Sequence, residues 1–126
     1  MAAIVPAAER RRTETPNATM TTFASPTLGA TEELSVWQVE MAAGARGPCH
    51  AFDSEQLWTV LEGELSLEVG GVCSDLAEGD TVVLPAEVAR QIVAKTSARL
   101  LVCGRARAVV RVPGEGAPRG TPRWIA

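Results

Sequence analysis

GARGPCHAFDSEQLWTVLEG, residues 44–63, and GDTVVLPAEVARQIVA, residues 79–94, decide how this chain is read. In the first, Gly44 is followed by five residues and then His50, one residue and Phe52, three residues and Gln56, six residues and Gly63. In the second, Gly79 is followed by five residues and then Pro85, with Glu87, Arg90 and Ala94 beyond it. Both stretches mix glycine turns with short apolar runs, Gln56–Leu61 and Thr81–Leu84, that read as strands. Pro85 cannot donate to a ladder, which suits an edge or the end of a strand. Side chains alternate along a strand, so His50 selects Phe52 as its neighbour on one face and Gln56 selects Trp58.

Outward from these stretches the same pattern continues. LSVWQVEM, 34–41, places Trp37, Val39 and Met41 on one face. Glu64–Val69 alternates with Leu65, Leu67 and Val69 inward, and Gly70-Gly71 is a two-residue connection of the hairpin kind. Met20–Phe23, Val72–Leu76, Val88–Ala94, Ala98–Cys103 and Ala106–Val112 supply further extended segments, and CHAF starts another at Cys49. No stretch of ten residues or more carries a helical period. Eight to ten short strands separated by turn signals predict an all-β sandwich or small barrel. Residues 1–19 have no period and read as a flexible leader; 20–112 form the barrel; 113–126, with three Pro and three Gly in VPGEGAPRGTPRWIA, form a tail without regular structure. Trp124 and Ile125 would anchor that tail on the barrel or on a partner subunit, unless the terminus is frayed.

The chain has 126 residues, enough for one domain with one modest core. It contains no apolar run of membrane-spanning length and no signal-peptide core, so the expectation is a cytoplasmic protein without a membrane partner. Three cysteines predict free thiols, with Cys73 and Cys103 buried and Cys49 facing away from His50. The net charge of −3 divides unevenly: residues 1–103 carry 7 basic and 14 acidic side chains, and residues 104–126 carry five Arg and one Glu. Arg105, Arg107 and Arg111 fall at even spacing, which predicts an outward strand face beside acidic neighbours; with no aromatic interleaving, nucleic acid is not expected as a partner.

The spacing of both opening stretches resembles the two signature motifs of the cupin family, written G(X)5HXH(X)3-4E(X)6G and G(X)5PXG(X)2H(X)3N. The resemblance covers roughly residues 34–112 and implies a single-domain jelly-roll β-barrel, commonly paired as a homodimer. In metal-binding cupins, two His and a Glu of the first motif and a His of the second converge on a metal. Carried across, the positions hold His50, Phe52, Gln56 and Arg90. A phenyl ring cannot ligate, an amide oxygen is a weak neutral donor, and a guanidinium is a permanent cation. A guanidinium within 4 Å of a divalent ion would cost roughly 4 kcal/mol per unit of charge product at an effective dielectric near 20. No metal and no other cofactor is therefore expected.

His50, Phe52, Gln56, Trp58 and Arg90 should instead project into one cavity. Arg90 favours an anionic or enolate-like guest, and His50, the one imidazole in the chain, is the candidate general acid or base. The first expectation is a metal-free binding module for a small anionic organic molecule. The second is a metal-independent isomerase, epimerase, cyclase or lyase in which His50 moves a proton and Arg90 stabilises the oxyanion. The third is a metal-dependent dioxygenase with a degenerate ligand set, and the fourth a structural or regulatory subunit with a filled barrel. Each side chain also has a structural alternative: His50 could be a satisfied core residue, Phe52 and Trp58 could fill the barrel, Gln56 could only orient His50, and Arg90 could pair with Asp53, Glu55 or Glu87.

Overall fold

The computed structural model describes residues 2–126; Met1, at the start of the expected leader, lies outside the described residues. Alternating sequence becomes strand: β1 (Arg11–Glu14), β2 (Thr19–Ala24), β3 (Leu34–Met41), β4 (Ala51–Phe52), β5 (Gln56–Glu62), β6 (Leu65–Val69), β7 (Val72–Leu76), β8 (Thr81–Leu84), β9 (Arg90–Ala94), β10 (Ala98–Arg105) and β11 (Val110–Arg111). The helical content among the described residues is a single 3-10 turn at Ala7–Glu9. No helix among them is long and apolar enough to cross a membrane.

Six strands form one antiparallel sheet in the order β1-β2-β3-β10-β5-β8. Its register stacks side chains in rows across the strands, because paired residues point to the same face. Thr22, Trp37, Val102, Trp58 and Val82 form one row; Ser35, Gly104, Gln56 and Leu84 form the next. The second sheet is β7-β6-β9, where Leu65, Leu67 and Val69 stand opposite Ala94, Ile92 and Arg90. The segment before β4 extends this layer, as His50 pairs with Arg90 and Arg46 with Val93, and β4 then pairs with β11. Both layers contribute to one buried cluster, with Trp37, Trp58, Val60, Leu100 and Val102 facing Leu65, Leu67, Ile92 and Ala94. This is the double-sheet, all-β jelly roll that the alternation and the motif spacing predict.

Two turns show why glycine is needed, one in the β6–β7 hairpin and one at the motif residue Gly63. Gly70 and Gly71 both have positive φ (55° and 86°), which a two-residue hairpin connection with strand-matching twist requires. Gly63 has φ 84°, and a Cβ there would collide with the Ser97 carbonyl, so any larger residue would separate the β5–β6 turn from the β9–β10 turn.

Three expectations need correction. Arg11–Glu14, inside the segment read as a leader without pattern, pairs with Thr19–Thr22 and extends the large sheet; its polar sequence hid a strand half-open to solvent. The strand expected over 106–112 is broken. Residues 106 and 107 turn, and only Val110–Arg111 pairs, so Arg105, Arg107 and Arg111 are exposed but do not share one strand; Arg111 lies 3.6 Å from the Glu87 carboxylate. Cys73 is exposed, because β7 is an edge strand and Cys73 lies with Glu68 on its outer face; Cys103 is half-buried, and Cys49 is exposed. The tail bears out its anchor. Ile125 is fully buried, and Thr22, Ser25 and Ser35 donate side-chain hydrogen bonds to the carbonyls of Trp124, Ala126 and Ile125.

Candidate functional site

The layers enclose a cavity of about 370 Å³. Its floor is the inner face of the large sheet, Met20 on β2, Trp37, Val39 and Met41 on β3, and Val102 on β10. The row order places these residues there: the apolar members of each alternating strand point inward together. Ile92 closes the opposite side, and β4–β11 contributes Phe52 and Val110. The mouth includes Asn17 and Ala18 of the β1–β2 turn and Thr121, Pro122 and Trp124 of the tail. The centre is therefore not packed shut. His50, Phe52, Gln56, Trp58 and Arg90 all line this one cavity.

Arg90 is its electrostatic centre. It is the first residue of β9 and its main chain exchanges two hydrogen bonds with His50 (3.0 and 2.8 Å), which fixes the two residues side by side. The residue is 1% exposed. Its guanidinium donates from Nε to the Val88 carbonyl (3.3 Å), from Nη2 to the carbonyls of Pro85 (3.1 Å) and Val88 (3.2 Å), and from Nη1 to Gln56 Oε1 (3.4 Å). It also stands 5.5 Å from the centre of the Phe52 ring. No carboxylate forms an ion pair with it among the described residues. Asp53 accepts from the Val109 amide, Glu55 is exposed, and Glu87 turns outward to Arg111. Burial pulls the guanidinium down to about 10, which still leaves it charged at neutral pH.

The loop between β8 and β9 that supplies these carbonyls is strained at Glu87, whose φ is 65°. Glu87 occupies the glycine position of the second motif, and its amide donates to the Phe52 carbonyl at 2.7 Å. The strained residue thus ties the arginine cradle to β4.

Gln56 has a fixed orientation. Its Oε1 accepts from Trp58 Nε1 (3.1 Å) as well as from Arg90, so its Nε2 faces neither donor and has no partner among the described residues. Gly104, opposite Gln56 in the register, makes this packing possible: a Cβ there would lie 3.0 Å from Gln56 Cγ and 3.5 Å from Trp37 Cη2. Sequence reasoning passed over Gly104, although a glycine inside a strand is itself a sign of close approach. It also passed over the β1–β2 turn and the tail as lining elements, since neither carries a period that would place it.

His50 is half-buried, with its ring 5.1 Å from that of Phe52 at an edge-on 73°. Burial lowers its pKa below the ordinary 6.5, and the Arg90 charge adds to the effect. The imidazole is therefore neutral at pH 7, and its Nδ1 has no hydrogen-bond partner among the described residues.

The donor set does not fit a metal. His50 is the one strong ligand, the Gln56 oxygen is already shared between Trp58 and Arg90, Phe52 cannot ligate, and a guanidinium occupies the fourth position. No group of three His, Cys, Asp or Glu side chains with metal-holding geometry occurs among the described residues.

Residues 37–104, just over half of the chain, match the family described as "Cupin domain". Comparison with curated proteins finds no match. Among solved structures, an RmlC-like cupin from Shewanella frigidimarina superposes with a TM-score of 0.70 at 24% identity, over 81% of this chain and 88% of that one. KdgF from Halomonas sp. gives 0.71 at 20% identity, over 83% and 94%. Salicylate 1,2-dioxygenase from Pseudoaminobacter salicylatoxidans, in its adduct with gentisate, gives 0.72 at 20% identity over 83% of this chain and 31% of the dioxygenase. At these identities the likeness is one of fold.

Proposed function

The chain belongs to the cupin family, and within it we propose that this protein is a metal-free binding module for a small anionic organic molecule. The observation that carries the reading is Arg90: a cation 1% exposed, with no carboxylate beside it among the described residues, lining a largely apolar cavity of about 370 Å³. Burying a charge without an opposite charge is costly, and a fold that keeps one at a cavity wall has a use for it when a guest brings the counter-charge. Gln56 and His50 add polar atoms without partners to the same wall.

A second reading has its own support in His50. A neutral imidazole beside a guanidinium is the pairing needed to take a proton from the carbon next to a carboxylate or carbonyl while the arginine stabilises the enolate. Returning the same proton at a different face or position would complete an epimerisation or isomerisation. The metal-dependent dioxygenase reading has one strong donor, His50, of the four that the motif positions would supply, and the filled-barrel reading does not suit an open cavity. The protein is proposed to act away from membranes and nucleic acid, in the cytoplasm, as a homodimer with a solution mass of twice 13.3 kDa.

Thermal denaturation with a panel of small carboxylates tests the main reading. A carboxylate present at 100 times its dissociation constant should stabilise the fold by about 2.7 kcal/mol. Elemental analysis of the same protein should find no first-row metal near one per chain. If no carboxylate shifts the transition, or if stoichiometric metal is present, the reading fails. Turnover lost in His50→Gln while binding survives would move the assignment from binding module to enzyme.

A further inference from the structure

We infer that the guest is a monocarboxylate on an apolar body, aromatic or branched aliphatic, and not a sugar acid, an amino acid or a phosphate ester; this rests on the anion-binding reading above. The charges set the first limit. Arg90 and Arg119 are the charged side chains lining the cavity, and Arg119 is held by both carboxylate oxygens of Glu115. One uncommitted positive charge remains, which neutralises a monoanion and leaves a phosphate dianion half-compensated. No carboxylate lines the cavity among the described residues, so the ammonium group of an amino acid would have no partner there.

The donors set the second limit. A guanidinium has five N–H bonds, and four are given to Gln56, Pro85 and Val88. One Nη1 proton is left, and Gln56, which accepts the other, keeps a buried Nε2 without a partner among the described residues. That set suits the two oxygens of a carboxylate and falls short of the three oxygens of a phosphate.

The walls set the third. Away from Arg90, Gln56 and His50, the walls are largely apolar, with Met20, Trp37, Val39, Met41, Ile92 and Val102, and the remaining polar side chains are Thr15, Asn17, Thr121 and the paired Arg119. Of the polar residues at the mouth, Thr15 already uses its hydroxyl on the main chain of Asn17 and Ala18. The hydroxyls of a sugar acid would lose water against those apolar walls and regain little, whereas a phenyl or branched alkyl group fits them.

Calorimetric titration of the full chain with benzoate, 3-methylbutanoate, benzamide, galacturonate and inorganic phosphate separates the possibilities. Benzoate and 3-methylbutanoate should each bind at least about tenfold more tightly than benzamide, galacturonate or phosphate, and Arg90→Met should abolish the preference of benzoate over benzamide. Tighter binding of galacturonate or phosphate would overturn the ligand class while leaving the anion site standing. Equal binding of benzoate and benzamide, or no binding by any of the five, would overturn the anion site itself. The wild-type comparison decides the matter even if Arg90→Met does not fold.

Discussion

Arg90 and Glu87 show how a fold stores cost beside a cavity. Glu87 holds φ 65° in the loop whose carbonyls cradle the arginine, a conformation that glycine adopts without penalty. Its carboxylate contributes only an exposed pair with Arg111 at 3.6 Å, the kind of pair that contributes little. Glu87→Gly should therefore stabilise the protein by about 0.5–1 kcal/mol, read as a raised midpoint in urea denaturation. A lowered midpoint would show that the carboxylate matters more than the backbone. His50 makes a different prediction. Its pKa is lowered in the folded state, so as pH falls through 6.5 the unfolded chain takes up a proton that the folded chain refuses. Stability from this residue is fully present above that value and declines as pH falls toward the lower, folded one. The stability of wild type relative to His50→Gln should thus fall as the pH drops through 6.5. A difference that is flat, or that grows on acidification, would contradict the burial of a neutral imidazole.

The strands differ in how far they could be read. Leu34–Met41 and Leu65–Val69 alternate cleanly because one face meets the core and the other meets water, and both stand where the pattern puts them. β1 was hidden because RRTE has no apolar member; it is a strand by virtue of its partner β2 and not of its own sequence. β11 shrank to two residues because the chain turns after Arg105, a matter of tertiary packing that even spacing does not report. The lining set His50, Phe52, Gln56, Trp58 and Arg90 was accessible from motif spacing plus alternation. Gly104 and the tail were not, since their roles depend on which residue lies across the sheet from them. The tail is held by a buried row of hydroxyls, Thr22, Ser25 and Ser35, and by Arg11, which donates to the carbonyls of Arg123 (2.9 Å) and Ala126 (2.8 Å). With Ile125 fully buried in that clasp, Ile125→Ala should cost about 2–4 kcal/mol in chemical denaturation. A cost under about 1 kcal/mol would mean that the tail lies on the domain without contributing to it.

Taken together, the layers, the clasped tail and the β1–β2 turn place a lone buried cation against apolar walls. The family scaffold sets where the side chains point, and the substitutions at the motif positions change what they can hold: an arginine stands where a ligand to a cation would, and a phenyl ring where a second imidazole would. On the proposed reading, the geometry that disfavours a metal is the one that would hold a guest of opposite charge. A crystal structure of the protein soaked with benzoate tests this most directly. The carboxylate should lie within hydrogen-bond reach of Arg90 Nη1 and Gln56 Nε2, with the ring against Met41, Val39 and Ile92. Density for a metal ion on His50 and Gln56, or a benzoate bound with its carboxylate away from Arg90, would contradict the account.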